Sequence, residues 1–278
     1  MNIKTALKNA TLRLNHIDTK HIDAELLLCH ILKCKRTYCY TQPEQILTAQ
    51  QYTDYQQLIT QRVAGMPIAY LLGTRAWWSL SLHVSPATLI PRAETELLIE
   101  ITLKQYSHFK HLHILELGTG SGAIALALAK ACPTWIIHAC DISAEALAVA
   151  KYNQTQLNNT SISFFQSNWF DAINPEQKFD IIISNPPYLS TNDPHLNQGD
   201  LRFEPKIALI SGSSGLDALT HIIQHSQKYL TTNGTLILEH GYNQGQDVYR
   251  LLKNTGYHTI NCWQDQLGYE RVTQGSYI

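Results

Sequence analysis

The segment Asn185-Pro186-Pro187-Tyr188 carries the residue types best suited to chemistry in this chain. It follows the apolar run Ile181-Ile182-Ile183-Ser184, which reads as a buried strand. Each proline fixes its own φ and lacks an N–H, so the carbonyls of Asn185 and Pro186 project from a stiff backbone. Tyr188 can offer a flat face to a planar group. An amide, two prolines and an aromatic ring at a strand end form a rigid polar clamp. Such a clamp suits a planar nitrogen that must be held while something is transferred to it. Read alone, the same four residues also describe a Pro-Pro turn that ends a strand.

A second set of residues lies upstream. Residues 112–117 read as a strand, Gly118-Thr119-Gly120-Ser121-Gly122 follows, and then comes the helix-forming run 123–129. Glycines between a strand and a helix allow a tight turn and close backbone approach to a ligand. Residues 135–140 read as the next strand, with Asp141 at its end. A carboxylate there can accept hydrogen bonds from both ribose hydroxyls of a nucleoside cofactor. Gly118, Gly120 and Ala123 also satisfy a loose dinucleotide fingerprint, so the loop does not choose the cofactor by itself. The clamp does. A nicotinamide enzyme needs no amide clamp, whereas methyl transfer to a planar nitrogen does.

The elements that position these residues fall into three stretches. Residues 1–72 read as helices only, clearest at 23–28 and 52–63, with Pro43 between them. Residues 73–92 change character: the run 76–84 alternates and is aromatic, so it reads as a β-hairpin linker. From residue 93 to 278 helices and strands alternate, which argues for a parallel sheet. Further strands are expected at 161–166, 179–184, 234–239 and 258–263, with 270–273 as an edge strand.

Composition sets limits on the function class. The chain has 278 residues, enough for two cores, and is 44% hydrophobic, ordinary for a globular protein. The formal net charge is −1, which is no electrostatic footprint for nucleic acid. Lys4, Lys8, Arg13, Lys20, Lys33, Lys35 and Arg36 make the first stretch locally basic, as a solvated helix face also would. The six cysteines contain no C-x-x-C pair, and Cys29 and Cys34, five apart on an expected helix, read as core or surface thiols. His221 and His225 lie at i and i+4 without a third ligand, so no metal site is expected. The first fourteen residues have helical spacing, not a signal-peptide core, and no apolar run approaches membrane-spanning length. A cytoplasmic, reduced protein is expected.

The motifs together carry a resemblance. Glu116-Leu-Gly-Thr-Gly-Ser-Gly122, Asp141 and Asn185-Pro-Pro-Tyr188 resemble S-adenosylmethionine-dependent methyltransferases acting on planar nitrogens. Thr88-Leu-Ile-Pro-Arg92 with Glu94-Thr-Glu96, Gln198-Gly-Asp-Leu-Arg-Phe-Glu-Pro205, Leu238-Glu-His-Gly241 and Gly268-Tyr-Glu-Arg-Val272 narrow the resemblance to the HemK/PrmC family. That family methylates the side-chain amide of the Gly-Gly-Gln glutamine in class 1 peptide-chain release factors. The resemblance implies an α/β, Rossmann-like class I methyltransferase domain with a mostly parallel seven-stranded sheet. A small all-helical N-terminal domain that recognises the substrate, and a β-hairpin linker, would precede it. It implies S-adenosyl-L-methionine as cofactor, S-adenosyl-L-homocysteine as product, release factors as partners, a monomer, and no need for membrane or nucleic acid.

The resemblance also assigns roles. Asn185, Pro186 and Tyr188 are expected to be catalytic, and with Pro187 to bind the substrate amide. The Asn185 side-chain oxygen and the Pro186 carbonyl would accept its two N–H bonds, and Tyr188 would pack over it. Gly118, Thr119, Gly120, Ser121 and Gly122 would approach the amino-acid part and ribose of the cofactor. Glu116 would meet its ammonium, Asp141 its ribose, and Ile142, Asn168 and Trp169 its adenine, with Asn185 also near it. Relatives usually carry an acidic residue at Asn168 and a proline at Ala93. Arg92, Glu94 and Glu96 would line the entrance or cap a helix. Arg202 and Glu204 would order the loop after the clamp or pair with each other within it. Two other readings stand beside this one: a base N-methyltransferase acting on DNA or RNA, with a flipped base stacked on Tyr188, and a non-enzymatic binding module.

Overall fold

A computed structural model of the chain describes residues 1–158 and 162–278. It divides into two compact units, residues 1–74 with 197–203, and residues 75–196 with 204–278.

The first unit is helical: α1 Ile3–Arg13, α2 Lys20–Leu32, α3 Arg36–Thr41, α4 Ala49–Val63 and α5 Ile68–Leu72. Asn2 caps α1 through its side chain, and Thr48 with Gln51 forms a reciprocal capping box on α4. The apolar faces of α1, α2 and α4 meet in one core around Ile3, Leu14, Leu27, Leu28, Tyr55 and Ile59. Asp23 is buried beside that core, and Arg62 answers its charge at 2.7 Å while also donating to the Met66 carbonyl. Cys34 stands beyond the end of α2, not on it, because Lys33 turns the chain in the left-handed conformation.

The second unit begins with the hairpin strands β1 Thr74–Trp77 and β2 Leu80–His83, whose two-residue turn holds Trp78 at positive φ. Its main sheet contains β3 His113–Leu117, β4 Ile136–Asp141, β5 Ile162–Gln166, β6 Phe179–Ser184, β7 Leu230–Glu239, β8 His258–Gln264 and β9 Glu270–Ser276. Helices α6 Glu96–Tyr106, α7 Ala123–Ala131, α8 Ala144–Gln156, α9 Asp217–Ser226 and α10 Gly245–Asn254 accompany it. The strand order is β5-β4-β3-β6-β7-β9-β8, parallel from β5 to β7 and antiparallel at β9 and β8. This is the mostly parallel seven-stranded sheet that the motifs imply. Ser161, expected to open β5, lies outside the described residues.

The position of one strand differs from expectation. The stretch 270–273 reads as an edge, yet β9 runs to Ser276 and lies between β7 and β8. Val272, Thr273 and Gln274 are buried there, while β8 forms the true edge and shows largely exposed side chains. Short polar residues concealed an interior strand.

The order reverses at β3, which has β4 on one side and β6 on the other. Chain connections leave β3 in opposite directions at this point, and the carboxyl ends of its neighbours open a crevice. Gly118, Asp141 and Asn185 all stand just beyond or at those ends.

Candidate functional site

The crevice holds a cavity of about 540 Å³, within the range of small-molecule sites. Its wall includes Glu116, Gly118, Thr119, Gly120 and Ser121 from the first crossover and Asp141 and Ile142 from the second. Asn168 and Trp169 follow β5, and Asn185 and Pro187 follow β6; all four line it too. Three expected site residues lie outside the lining: Gly122, Pro186 and Tyr188.

The glycine loop is built for conformation at one end and for access at the other. Gly122 has φ +82°, and a Cβ there would meet Ala150 Cβ and Phe164 Cζ at 3.2 Å. It is a packing glycine at the start of α7. Gly120 has φ +55° and open space where a Cβ would stand, so its backbone faces the cavity bare.

Asp141 fastens this loop. Its Oδ2 accepts from the Gly120 amide at 2.8 Å and its Oδ1 from the Ser143 amide at 3.0 Å. A carboxylate offers about four acceptor positions, so the loop amides leave room for a ligand hydroxyl. Burial pushes its carboxyl up, and the amides of Ser143, Gly120 and Ile142 pull it back. Ile142 beside it is 46% exposed, an apolar surface left open for a flat ring. Asn168 donates its amide nitrogen to Asp171 Oδ2 at 3.1 Å, which leaves its oxygen free to accept.

Glu116 is buried at the end of β3. Its Oε2 accepts from Thr119 Oγ1 at 2.8 Å and from the Ala125 amide at 3.0 Å. Both bonds fall on one oxygen, and Oε1 is left for a ligand donor. Burial pushes the carboxyl up to about 8; the Thr119 and Ala125 bonds offset part of this, and the Asp141 charge adds to it. A cationic ligand group at Oε1 would restore ionisation. The donor set therefore fits a nucleoside cofactor with a cationic tail.

The clamp begins where Ser184 Oγ donates to the Leu117 carbonyl at 2.7 Å, locking the ends of β6 and β3 together. Asn185 Nδ2 then donates to Thr95 Oγ1 at 3.0 Å. Its Oδ1 is consequently the end available to a substrate. Pro186 is buried, and among the described residues its carbonyl has no donor. Tyr188 is half-buried with its hydroxyl directed at Glu239 Oε1, 3.5 Å away. Its carbonyl accepts from Gln244 Nε2 at 3.0 Å, and the same side chain accepts from the Gly241 amide at 2.8 Å.

Glu239, at the end of β7, is the residue whose importance the sequence reading understated. It is 1% exposed, and burial pushes its carboxyl up to about 7. The nearby Thr95 hydroxyl, the charge of Arg271 and the Tyr188 hydroxyl oppose the shift, while the Glu94 charge adds to it; Oε2 itself is buried without a hydrogen-bond partner among the described residues. Thr95 thus lies between Glu239 and Asn185. Only the Glu94-Thr-Glu96 motif marked Thr95, and Gln244 had no sequence signal.

Residues 87–92 supply another wall through Ala87, Thr88, Leu89, Pro91 and Arg92. Glu204 anchors it: one oxygen accepts from the Ile90 amide at 3.1 Å, and the other forms an ion pair with Arg92. An internal Arg202–Glu204 pair is one of the two expectations for this loop, and the observed ion pair joins Glu204 to Arg92, while Arg202 donates to the Gly199 carbonyl at 3.1 Å. Glu96 accepts from the Trp78 amide at 3.0 Å, tying the hairpin turn to α6. His221 and His225 stack with ring centroids 4.2 Å apart, and His225 Nδ1 bonds the His221 carbonyl at 2.8 Å. That is local helix packing.

Comparison with known proteins gives a consistent outcome. Two family models match, the PrmC N-terminal domain over residues 5–73 and the methyltransferase small domain over residues 93–199. The chain is 42% identical over 280 aligned positions to the release factor glutamine methyltransferase of Aliivibrio fischeri, covering 100% of this chain and 98% of that one. It is 44% identical over 279 positions to the release factor glutamine methyltransferase of Vibrio cholerae, covering 100% and 97%. A solved methyltransferase from Pyrococcus furiosus shares the fold, with a TM-score of 0.54 at 20% identity, covering 81% of this chain and 100% of that one. Among the described residues no helix is long and apolar enough to cross a membrane.

Proposed function

The chain belongs to the release factor glutamine methyltransferase family, and from that premise we propose that it methylates the Gly-Gly-Gln glutamine of class 1 peptide-chain release factors at N5, using S-adenosyl-L-methionine. The observation that carries this reading is the oriented Asn185 amide, whose nitrogen is taken by Thr95 and whose oxygen is left for an N–H donor. The base-methyltransferase reading has no such support from the relatives, which are glutamine methyltransferases over their full length.

S-adenosylmethionine supplies, when bound, a methyl already activated by a sulfonium. Asp141 would hold its ribose, Glu116 Oε1 its ammonium, and Ile142, Asn168 and Trp169 its adenine, over the loop Gly118, Thr119, Gly120 and Ser121, which Gly122 packs from behind. The chain's own task is to present the nucleophile. An amide nitrogen is a poor one, because its lone pair is delocalised into the carbonyl. Asn185 Oδ1 and the Pro186 carbonyl would accept its two N–H bonds, orient it, and stabilise the positive charge that develops on it. Orientation of this kind is worth roughly 7–11 kcal/mol in favourable cases. Pro187 and Tyr188 would confine the glutamine stem. Glu239 would support the clamp from behind through the Tyr188 hydroxyl.

Residues 93–278 would carry the transfer, residues 73–92 would link, and the helical residues 1–72 would recognise the protein substrate. The enzyme would act as a monomer in the cytoplasm, where its substrates work. The test is incubation with labelled S-adenosylmethionine and a class 1 release factor, beside a copy whose Gly-Gly-Gln glutamine is replaced. Label on the intact factor alone, mapped to the glutamine by mass spectrometry, is the expected result. Label on added DNA or RNA and none on the factor would overturn the reading.

A further inference from the structure

The helical unit brings three thiols to one point. Cys29 lies on the last turns of α2, Cys34 follows the left-handed residue Lys33, and Cys39 sits on α3. The Cys34 amide bonds the Cys29 carbonyl at 3.1 Å, which folds the chain back so that α3 returns along α2. The three Sγ atoms all lie within 4.8 Å of one another, and those of Cys29 and Cys39 are 3.6 Å apart.

These spacings discriminate between uses of the cluster. Sulfurs bound to one cation at about 2.3 Å stand about 3.8 Å apart in a tetrahedral site and about 4.0 Å apart in a trigonal one. A disulfide needs about 2.05 Å and would leave one thiol unmatched. The observed separation fits a shared cation with little movement. The donors are all sulfur, and among the described residues no carboxylate or imidazole completes the set. Soft thiolates of this kind select cuprous ion or zinc over hard cations. Cys34 is half-buried and provides the way in, while Cys29 and Cys39 are buried. Exposed Lys33 and Lys35 flank Cys34 and offset the negative charge of the thiolates.

We infer that Cys29, Cys34 and Cys39 form a three-sulfur site for a thiophilic d10 cation, Cu(I) or Zn(II). Binding replaces three S–H bonds with three metal–sulfur bonds and releases three protons; no electron moves. The bound cation would tie α2 to α3 and stabilise the helical unit by mass action. The spacing C-x4-C-x4-C matches no familiar zinc signature, which is why the sequence suggested only core or surface thiols. The turn at Lys33 creates the site.

The full chain, reduced and stripped with a chelator, would be titrated separately with Zn(II) and with Cu(I) delivered from a coloured Cu(I) chelator. The expected result is one cation per chain in at least one arm, with a raised Tm. Zn(II) in preference would mean a water completes the site; Cu(I) in preference would mean three sulfurs suffice. Cys34→Ala, at a half-buried position, should lose the stoichiometric binding, and Cys262→Ala, an exposed control, should keep it. Alkylation mapped by mass spectrometry gives a reading on the unmutated chain: the cation should protect Cys29, Cys34 and Cys39 together. Neither cation bound at one equivalent, or binding retained in Cys34→Ala, would overturn the inference.

Discussion

The Asn185 amide nitrogen donates to the Thr95 hydroxyl at 3.0 Å. The two ends of an asparagine side chain are alike in shape and opposite in chemistry, and this one bond chooses between them. The clamp is therefore oriented by a hydroxyl that never needs to touch the substrate. Thr95 also acts on the neighbouring buried Glu239, holding its carboxyl down against the upward push of burial.

Thr95→Val removes the acceptor while keeping the shape. One hydrogen bond of about 1–1.5 kcal/mol predicts a fall in kcat of roughly tenfold, with cofactor affinity little changed. Thr95→Ser should restore most of it. Turnover with a release factor, beside calorimetric cofactor binding, measures both. Unchanged kcat in Thr95→Val would mean that something else orients Asn185.

Glu239→Gln should separate activity from stability. The carboxyl is raised from 4.5 to about 7, so the folded state favours the protonated form. That contribution to stability is complete below the unfolded pKa and is lost as pH rises through about 7. At pH about 8 the neutral glutamine should raise Tm, by a difference on the order of 3 kcal/mol at most, and the gain should vanish in mild acid. Turnover should move the other way, because the substitution removes the negative charge that the Tyr188 hydroxyl faces behind the clamp. A variant both less stable and less active at pH about 8 would contradict this assignment.

If Glu116 meets the cofactor ammonium as proposed, cofactor binding should release a proton. Its carboxyl stands at about 8 in the free protein, and an ammonium at Oε1 would draw it down. Near neutral pH, binding should release up to one proton and tighten as pH rises toward about 8. Calorimetry in buffers of different ionisation enthalpy counts the protons. No release would place the ammonium elsewhere.

Asp141→Asn keeps one acceptor for the loop amides and removes the charge. Hydrogen bonds to a charged group are worth about 1.5–3 kcal/mol, so cofactor affinity should fall roughly 10- to 100-fold. The far-ultraviolet circular dichroism should be preserved. Affinity within twofold of the parent would remove Asp141 from the ribose site.

The parts of the site legible in the sequence were those with a local cause. Glycine is favoured where φ is positive, a strand ends readily where two prolines follow, and Asp141 stands at the end of its strand. These follow from neighbours in the chain. Thr95, Glu239, Gln244 and the Glu204–Arg92 pair are brought to the site by tertiary packing. Glu204 lies 112 residues from Arg92, and nothing in either segment announces the other. The edge assignment of 270–273 failed for a related reason: alternation can show that a strand has a buried face but not which strands flank it. The hairpin, the parallel strands and the helical first unit were all visible because period and composition change along the chain.

The inner position of β9 has a consequence for folding. β8 precedes it in the chain yet reaches the sheet only through it. The later strand in the chain is thus the one on which the earlier strand depends for its place in the sheet. β8 hydrogen-bonds to β9 alone, and β9 alone joins that pair to β7. A chain cut between the two should leave β7 as a raw edge prone to self-association.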